Sequence, residues 1–284
     1  MPEIRAIQTP GRPLLQHQQG ERTAAALDAV PLPERLDDER SVPLRGFSYR
    51  CHKRFLPRTD ATSTSRRPRG IMGAVRLEAI TWERLGDHLA ERVLDLKPQD
   101  GSPWPRVAFD GAPAAHPGEL AQRLFEALRV RGRPALVVGT EGFLRPASLR
   151  LEYGHQDVEA YYDGWFDTGA LWREVFGPLE ADGDGRILPD LRDPVTDRAT
   201  RSPYVQLPPG GVLLLHGPLL LRHWFPFDLS VHLLLSPGAL RRRTPETEHW
   251  SLPAFARYES EIGPGTAADV LVRADDPRHP AWNG

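Results

Sequence analysis

The chain has 284 residues, room for one large domain or two small ones, and its 40% hydrophobic and 26% charged content is that of a globular protein. A formal net charge of -2 argues against a nucleic-acid partner, and the single cysteine, Cys51, excludes an internal disulfide framework and a cysteine-rich metal site. No apolar run reaches the roughly 18 residues of a membrane span, and the N-terminus lacks the apolar core of a signal peptide, so the expected location is the cytoplasm, with no membrane partner. Lys53 and Lys97 are the only lysines, which leaves residues 101–284 with arginine as their only strong base.

Residues 1–71 show little hydrophobic periodicity, carry many prolines and are strongly basic from Arg45 to Arg69. Such a segment cannot bury a core and is expected to be a disordered extension. Met72 stands just before the first periodic segment, so whether residues 1–71 are made in the native protein stays open. Residues 72–104 are expected to form an N-terminal helix and linker packed on a domain spanning 105–284. Within the helix, "WERLGDHLAERVLDL" (82–96) spaces Leu85, Leu89, Val93 and Leu96 on one face, with Thr81 as N-cap.

Strand and helix signals then alternate. Val107–Phe109 is a short β run. Residues 119–130 place Leu120, Leu124 and Leu128 on one helical face, and Ala135–Val138 is an apolar strand. A helix is expected over 168–176, capped by Asp167, followed by a Pro-, Asp- and Gly-rich loop over 177–211. "VLLLHG" (212–217) and "LSVHLLL" (229–235) are continuous apolar strands, as expected where both sheet faces are covered. "LPAFARYESEI" (252–262) reads as helix and "ADVLVRA" (268–274) as a last strand. The pattern predicts an α/β fold, a mainly parallel sheet with helices on both faces.

The stretch "RVAFDGAPAAHPGELAQRLFEALRVRGRPALVV" (106–138) reads as strand, glycine turn, helix, strand. A working phosphate loop follows GxxxxGK[ST]: backbone N–H groups surround the phosphates, a lysine reaches them, and a hydroxyl holds Mg²⁺. Gly111 opens the loop in the right context, followed by Ala112 and, after two residues, Ala115. The triplet that should be GK[ST] is His116, Pro117 and Gly118. Pro117 offers neither an ammonium nor an N–H, though it suits a first helical turn. His116 makes a left-handed turn harder than glycine does, and Gly118 has no hydroxyl. Taken alone, this stretch is an ordinary βαβ unit.

The order of segments from Arg106 onward resembles the uridine kinase family of P-loop nucleoside kinases, especially its actinobacterial members, over about 180 residues. "FDGAPAAHPGELAQRL" falls at the Walker A loop, "VVGTEGFLRPAS" at the second strand and "YGHQDVEAYYDGWFDTGALWREVFGPL" at the nucleoside-side segment. "RDPVTDRAT" matches a substrate-side loop, "GVLLLHGPLLL" the Walker B strand and "LSPGALRRR" the start of the lid. "ARYES" and "ADVLVRADDP" match the closing segments.

The resemblance implies roles residue by residue. Glu141 stands where the family has an aspartate acting as general base toward a nucleoside hydroxyl. Tyr162, Asp163 and Asp167 fall in the sugar-binding segment, and Asp167 also serves as a helix cap. Asp193 and Arg198 match the substrate-side loop, and Arg241, Arg242 and Arg243 the lid. His216, before Gly217, replaces the Walker B acidic residue, and a neutral imidazole is a poor ligand for Mg²⁺.

With Walker A and Walker B both altered, the resemblance implies a protein impaired in ATP-dependent phosphoryl transfer that keeps a pocket for a nucleoside or related small molecule. Two alternatives stand beside it. One is an active uridine kinase using ATP and Mg²⁺, with arginine replacing the loop lysine. The other is a repurposed site in which His116, Glu141 and His216, each following a strand, converge for acid–base or transition-metal chemistry. No resident metal or cofactor is expected under the first reading, and the oligomeric state stays open.

Overall fold

In the computed structural model, which describes residues 76–283, the apolar runs read from the sequence are the strands of one sheet. The expected extension, residues 1–71, lies outside the described residues. In chain order the elements are β1 (Glu78–Ala79), α1 (Trp82–Leu94), β2 (Arg106–Gly111), α2 (Pro117–Val130), β3 (Ala135–Gly139), α3 (Ala147–Arg150), α4 (Val158–Gly164), α5 (Thr168–Leu171), β4 (Arg186–Ile187), β5 (Val205–Gln206), β6 (Val212–Gly217), β7 (Leu229–Leu234), α6 (Pro237–Arg243), α7 (Leu252–Ile262), α8 (Pro264–Ala267), β8 (Val270–Arg273) and β9 (Ala281–Trp282).

The main sheet has the order β1-β9-β8-β7-β2-β6-β3. β8, β7, β2, β6 and β3 are parallel to their neighbours, and β9 and β1 add an antiparallel edge. β2 is central, with Val107 beside Leu214 of β6 and Leu229 of β7. Side chains alternate across it. Val107 and Phe109 pack with Leu85, Leu89 and Val93 of α1 and Leu120, Leu124 and Leu128 of α2. Ala108 faces the other way, with Phe143, Leu171, Val175 and Phe176. Period-two burial on both faces is why these strands read as unbroken apolar runs.

Several elements differ in detail from expectation. α2 begins at Pro117 rather than 119, because proline fits the first helical position. The helix expected over 168–176 runs as α5 only to Leu171 and continues as a π-helical turn over Trp172–Phe176. The loop over 177–211 contains a 3-10 turn and the β4–β5 hairpin. Thr81 caps α1, its hydroxyl accepting from the Arg84 N–H at 3.3 Å. No helix among the described residues is long and apolar enough to cross a membrane.

Candidate functional site

The link from β2 to α2 is a tight turn that enters the helix directly. Residues 113–115 form a 3-10 turn, and His116 takes the left-handed conformation, φ 55° and ψ 52°, that glycine adopts without strain. Three N–H groups of this segment go to its own carbonyls. Ala115 N donates to Ala112 O (2.8 Å), His116 N to Pro113 O (3.0 Å) and Glu119 N to His116 O (3.0 Å). Pro117 has no N–H to offer.

His216, at the end of β6, closes on this loop. A Cβ on Gly118 would lie 3.0 to 3.3 Å from the Cε1, Nδ1 and Nε2 atoms of the His216 ring, so a side chain at position 118 would require the imidazole to give way by a few tenths of an ångström. Burial holds the His216 pKa below its ordinary value, with Glu141 pulling the other way, its Oε1 being 3.8 Å from Nε2. Beside them Gly217 has φ 155°, and a Cβ there would collide with the Thr140 hydroxyl. Thr140 is 2% exposed, and its Oγ1 has no hydrogen-bond partner among the described residues.

These groups line one side of a cavity of about 800 Å³. It lies at the carboxyl ends of β2, β3 and β6, where open α/β sheets bind ligands. His116, Pro117, Gly118, Glu141, His216, Gly217 and Arg243 are brought together in its lining. His116 Nδ1 is 3.7 Å from Glu119 Oε1. Arg243 Nη1 donates to Ala274 O at 2.8 Å. The same cavity is lined by an aromatic wall. The Tyr161 ring meets Trp165 and Trp250 edge-on, with centroids 5.3 and 5.6 Å away, and Phe255 lies 6.0 Å from it. Among the described residues no cluster of three or more His, Cys, Asp or Glu is arranged to hold a metal ion.

The remaining candidates lie elsewhere. Gly111 ends β2, and Ala112 lines a second cavity of about 450 Å³ together with Arg241. Tyr162 donates from its hydroxyl to Glu261 (2.9 Å), and its ring sits beneath Arg222 and Arg257. Asp163 pairs with the same two arginines. Asp167 caps α5, accepting from Ala170 N at 2.8 Å. Asp193 accepts from the Val195 and Thr196 N–H groups, which hold its pKa below the ordinary carboxylate value. Arg198 contributes its carbonyl to the Asp193 N–H, and Arg242 is exposed.

Two groupings were not drawn from the sequence. One is the aromatic wall, whose members come from α4, the segment after it, and the α6–α7 region, and meet only in the fold. The other is a fully buried carboxylate, Asp110, next to the loop. It accepts from Leu220 N (2.8 Å), His232 Nδ1 (2.6 Å) and the Tyr258 hydroxyl (3.1 Å). An acid and a histidine inside otherwise apolar strands were the signals that mark this pair.

A parallel sheet with a strand–loop–helix at its centre and a cavity over its carboxyl edge gives the chain the fold class of the P-loop kinases. No family model and no curated protein matches the chain. Among solved structures it is similar to a possible uridine kinase from Bacillus stearothermophilus, with 21% identity and a TM-score of 0.54, covering 66% of this chain and 96% of that one. Fainter likenesses are to a provisionally assigned fructose transport system kinase from Silicibacter sp. TM1040 (24% identity, TM-score 0.46, 67% and 90% covered) and D-glycerate 3-kinase from Cryptococcus neoformans (14%, 0.43, 65% and 81%). The fold is that of the uridine kinase-like P-loop kinases.

Proposed function

We propose that this chain is a uridine kinase-like protein impaired in ATP-dependent phosphoryl transfer, which retains the cavity over the sheet as a small-molecule binding site. The observation that carries this reading is the closure of the β2–α2 loop on itself. Phosphoryl transfer depends on positioned positive charge and on N–H groups aimed at the phosphates. Here the N–H groups of Ala115, His116 and Glu119 are spent on carbonyls of the loop, Pro117 has none, and no lysine follows. The His216 ring lies against Gly118, where a hydroxyl and a carboxylate would otherwise meet Mg²⁺. The donor set does not fit Mg·ATP.

The test is a restoration series read by calorimetric titration with Mg·ATP and by phosphorylation of uridine. The unaltered protein is expected to bind Mg·ATP weakly or not at all. The variant carrying His116→Gly, Pro117→Lys, Gly118→Thr and His216→Asp is expected to bind it at least tenfold more tightly, the worth of one charge-assisted contact at about 1.4 kcal/mol. Arg243 is the one guanidinium lining the cavity among the described residues and supports the active-kinase alternative. Ordinary turnover by the unaltered protein, abolished by Glu141→Gln, would establish that alternative and overturn this reading. The 3.8 Å approach of His216 to Glu141 favours the repurposed acid–base site, which turnover of a ligand without ATP would reveal.

A further inference from the structure

We infer that the cavity between the β2–α2 loop and the aromatic wall takes an aromatic amine cation rather than a phosphate ester. This deepens the reading of an impaired phosphate loop and rests on it. The charge of the lining carries the inference. Among the described residues, Glu119, Glu141 and Glu248 face the cavity against a single guanidinium, Arg243, which is itself tied to the Ala274 carbonyl. His216 adds no compensating charge at neutral pH, because burial lowers its pKa. An anion entering this space meets carboxylates on the loop side, beyond β3 and on the segment before α7, and finds the N–H groups of Ala115, His116 and Glu119 taken.

The wall supplies the complementary chemistry. Tyr161, Trp165, Trp250 and Phe255 line the cavity, and aromatic faces attract both rings and cations. Trp165 already carries one such cation, with the Arg150 guanidinium carbon 5.0 Å from its ring centroid. At the loop end of the cavity the Glu141 carboxylate is exposed and offers an acceptor to a cationic group of the ligand. A ring stacked on the wall with an ammonium turned toward Glu141 satisfies both ends. A volume of about 800 Å³ leaves ample room for a ligand of two fused rings with a short side chain.

The experiment uses three indoles that share a ring and differ in charge: tryptamine, tryptophol and indole-3-propionate, titrated calorimetrically into the full chain at pH 7. Affinity is expected to fall from amine to alcohol to carboxylate, with roughly tenfold or more between the first and last, the size of a cation–π contact plus one partly screened ion pair. Glu141 and Glu248 are exposed, so the double variant Glu141→Gln with Glu248→Gln is expected to fold normally and to lose most of that preference. Trp250→Ala should weaken all three. Equal or tighter binding of the carboxylate, or no binding by any of the three, overturns the inference. Tight Mg·ATP binding by the same sample overturns the impaired-loop reading instead, so the two failures are separable.

Discussion

Asp110 joins four parts of the molecule through one side chain. It stands on β2 and accepts hydrogen bonds from the backbone after β6, from His232 of β7 and from Tyr258 of α7. Its exposure is 0%, so a carboxylate there persists only because three donors surround it. Asp110→Ala would leave the Leu220 N–H, the His232 Nδ1–H and the Tyr258 hydroxyl buried without an acceptor. We expect a loss of about 3 kcal/mol or more, the usual result of breaking a buried charged network, read from urea unfolding midpoints. Asp110→Asn keeps an acceptor oxygen and should lose less. If the two variants were equally stable, the three hydrogen bonds would not be what holds Asp110. In the sequence "RVAFDG" reads only as strand and turn, and the acid has no legible role because its partners lie more than a hundred residues away. Glu141, by contrast, was named from the sequence, and it lines the cavity.

At the level of elements, the strands were the most legible feature. Their unbroken apolar runs have one physical source, burial on both faces, and β2, β3, β6, β7 and β8 fall within or close to the expected ranges. The break of the 168–176 helix into a π turn was not legible, since both forms share apolar spacing over so short a span. The loop chemistry was half legible. The loss of lysine and hydroxyl could be read directly. The fit of His216 against Gly118 could not, because it depends on how closely β6 approaches α2. That fit makes the two departures one structural unit. Gly118→Thr alone should destabilise the protein by about 1–3 kcal/mol, the range for overpacking a filled site. Adding His216→Ala should recover much of it, giving a coupling of about 1 kcal/mol or more in a double-mutant cycle by thermal unfolding. Strictly additive effects would mean that the ring moves aside freely.

For the molecule as a whole, the question is where the folded unit begins. The sequence places the boundary near Met72, from the apolar spacing of α1, and leaves the P-loop-like domain to start near residue 105. β1 and β9 were not foreseen, because two-residue strands carry no readable alternation. In the structure they pair with each other, β9 pairs with β8, and Trp82 donates from its indole N–H to Pro277 O at 2.7 Å. The segment before the loop is therefore stitched to the chain's last strands. α1 also fills the sheet's outer layer: Leu85, Leu89, Ala90 and Val93 are each 0% exposed, and α1 packs against α2, the helix that carries the loop. Burial of the three larger side chains contributes about 4.5–9 kcal/mol at 1.5–3 kcal/mol each, which is comparable with the whole stability of a domain, about 5–15 kcal/mol. A chain starting at Arg106 keeps every parallel strand and still loses the cover of α2. We expect it to be insoluble or to unfold far below a chain starting at Met72, measured by thermal denaturation of the two purified side by side. Equal midpoints would mean that α1 is an appendage rather than part of the core, and that the α/β unit stands on residues 106–284 alone.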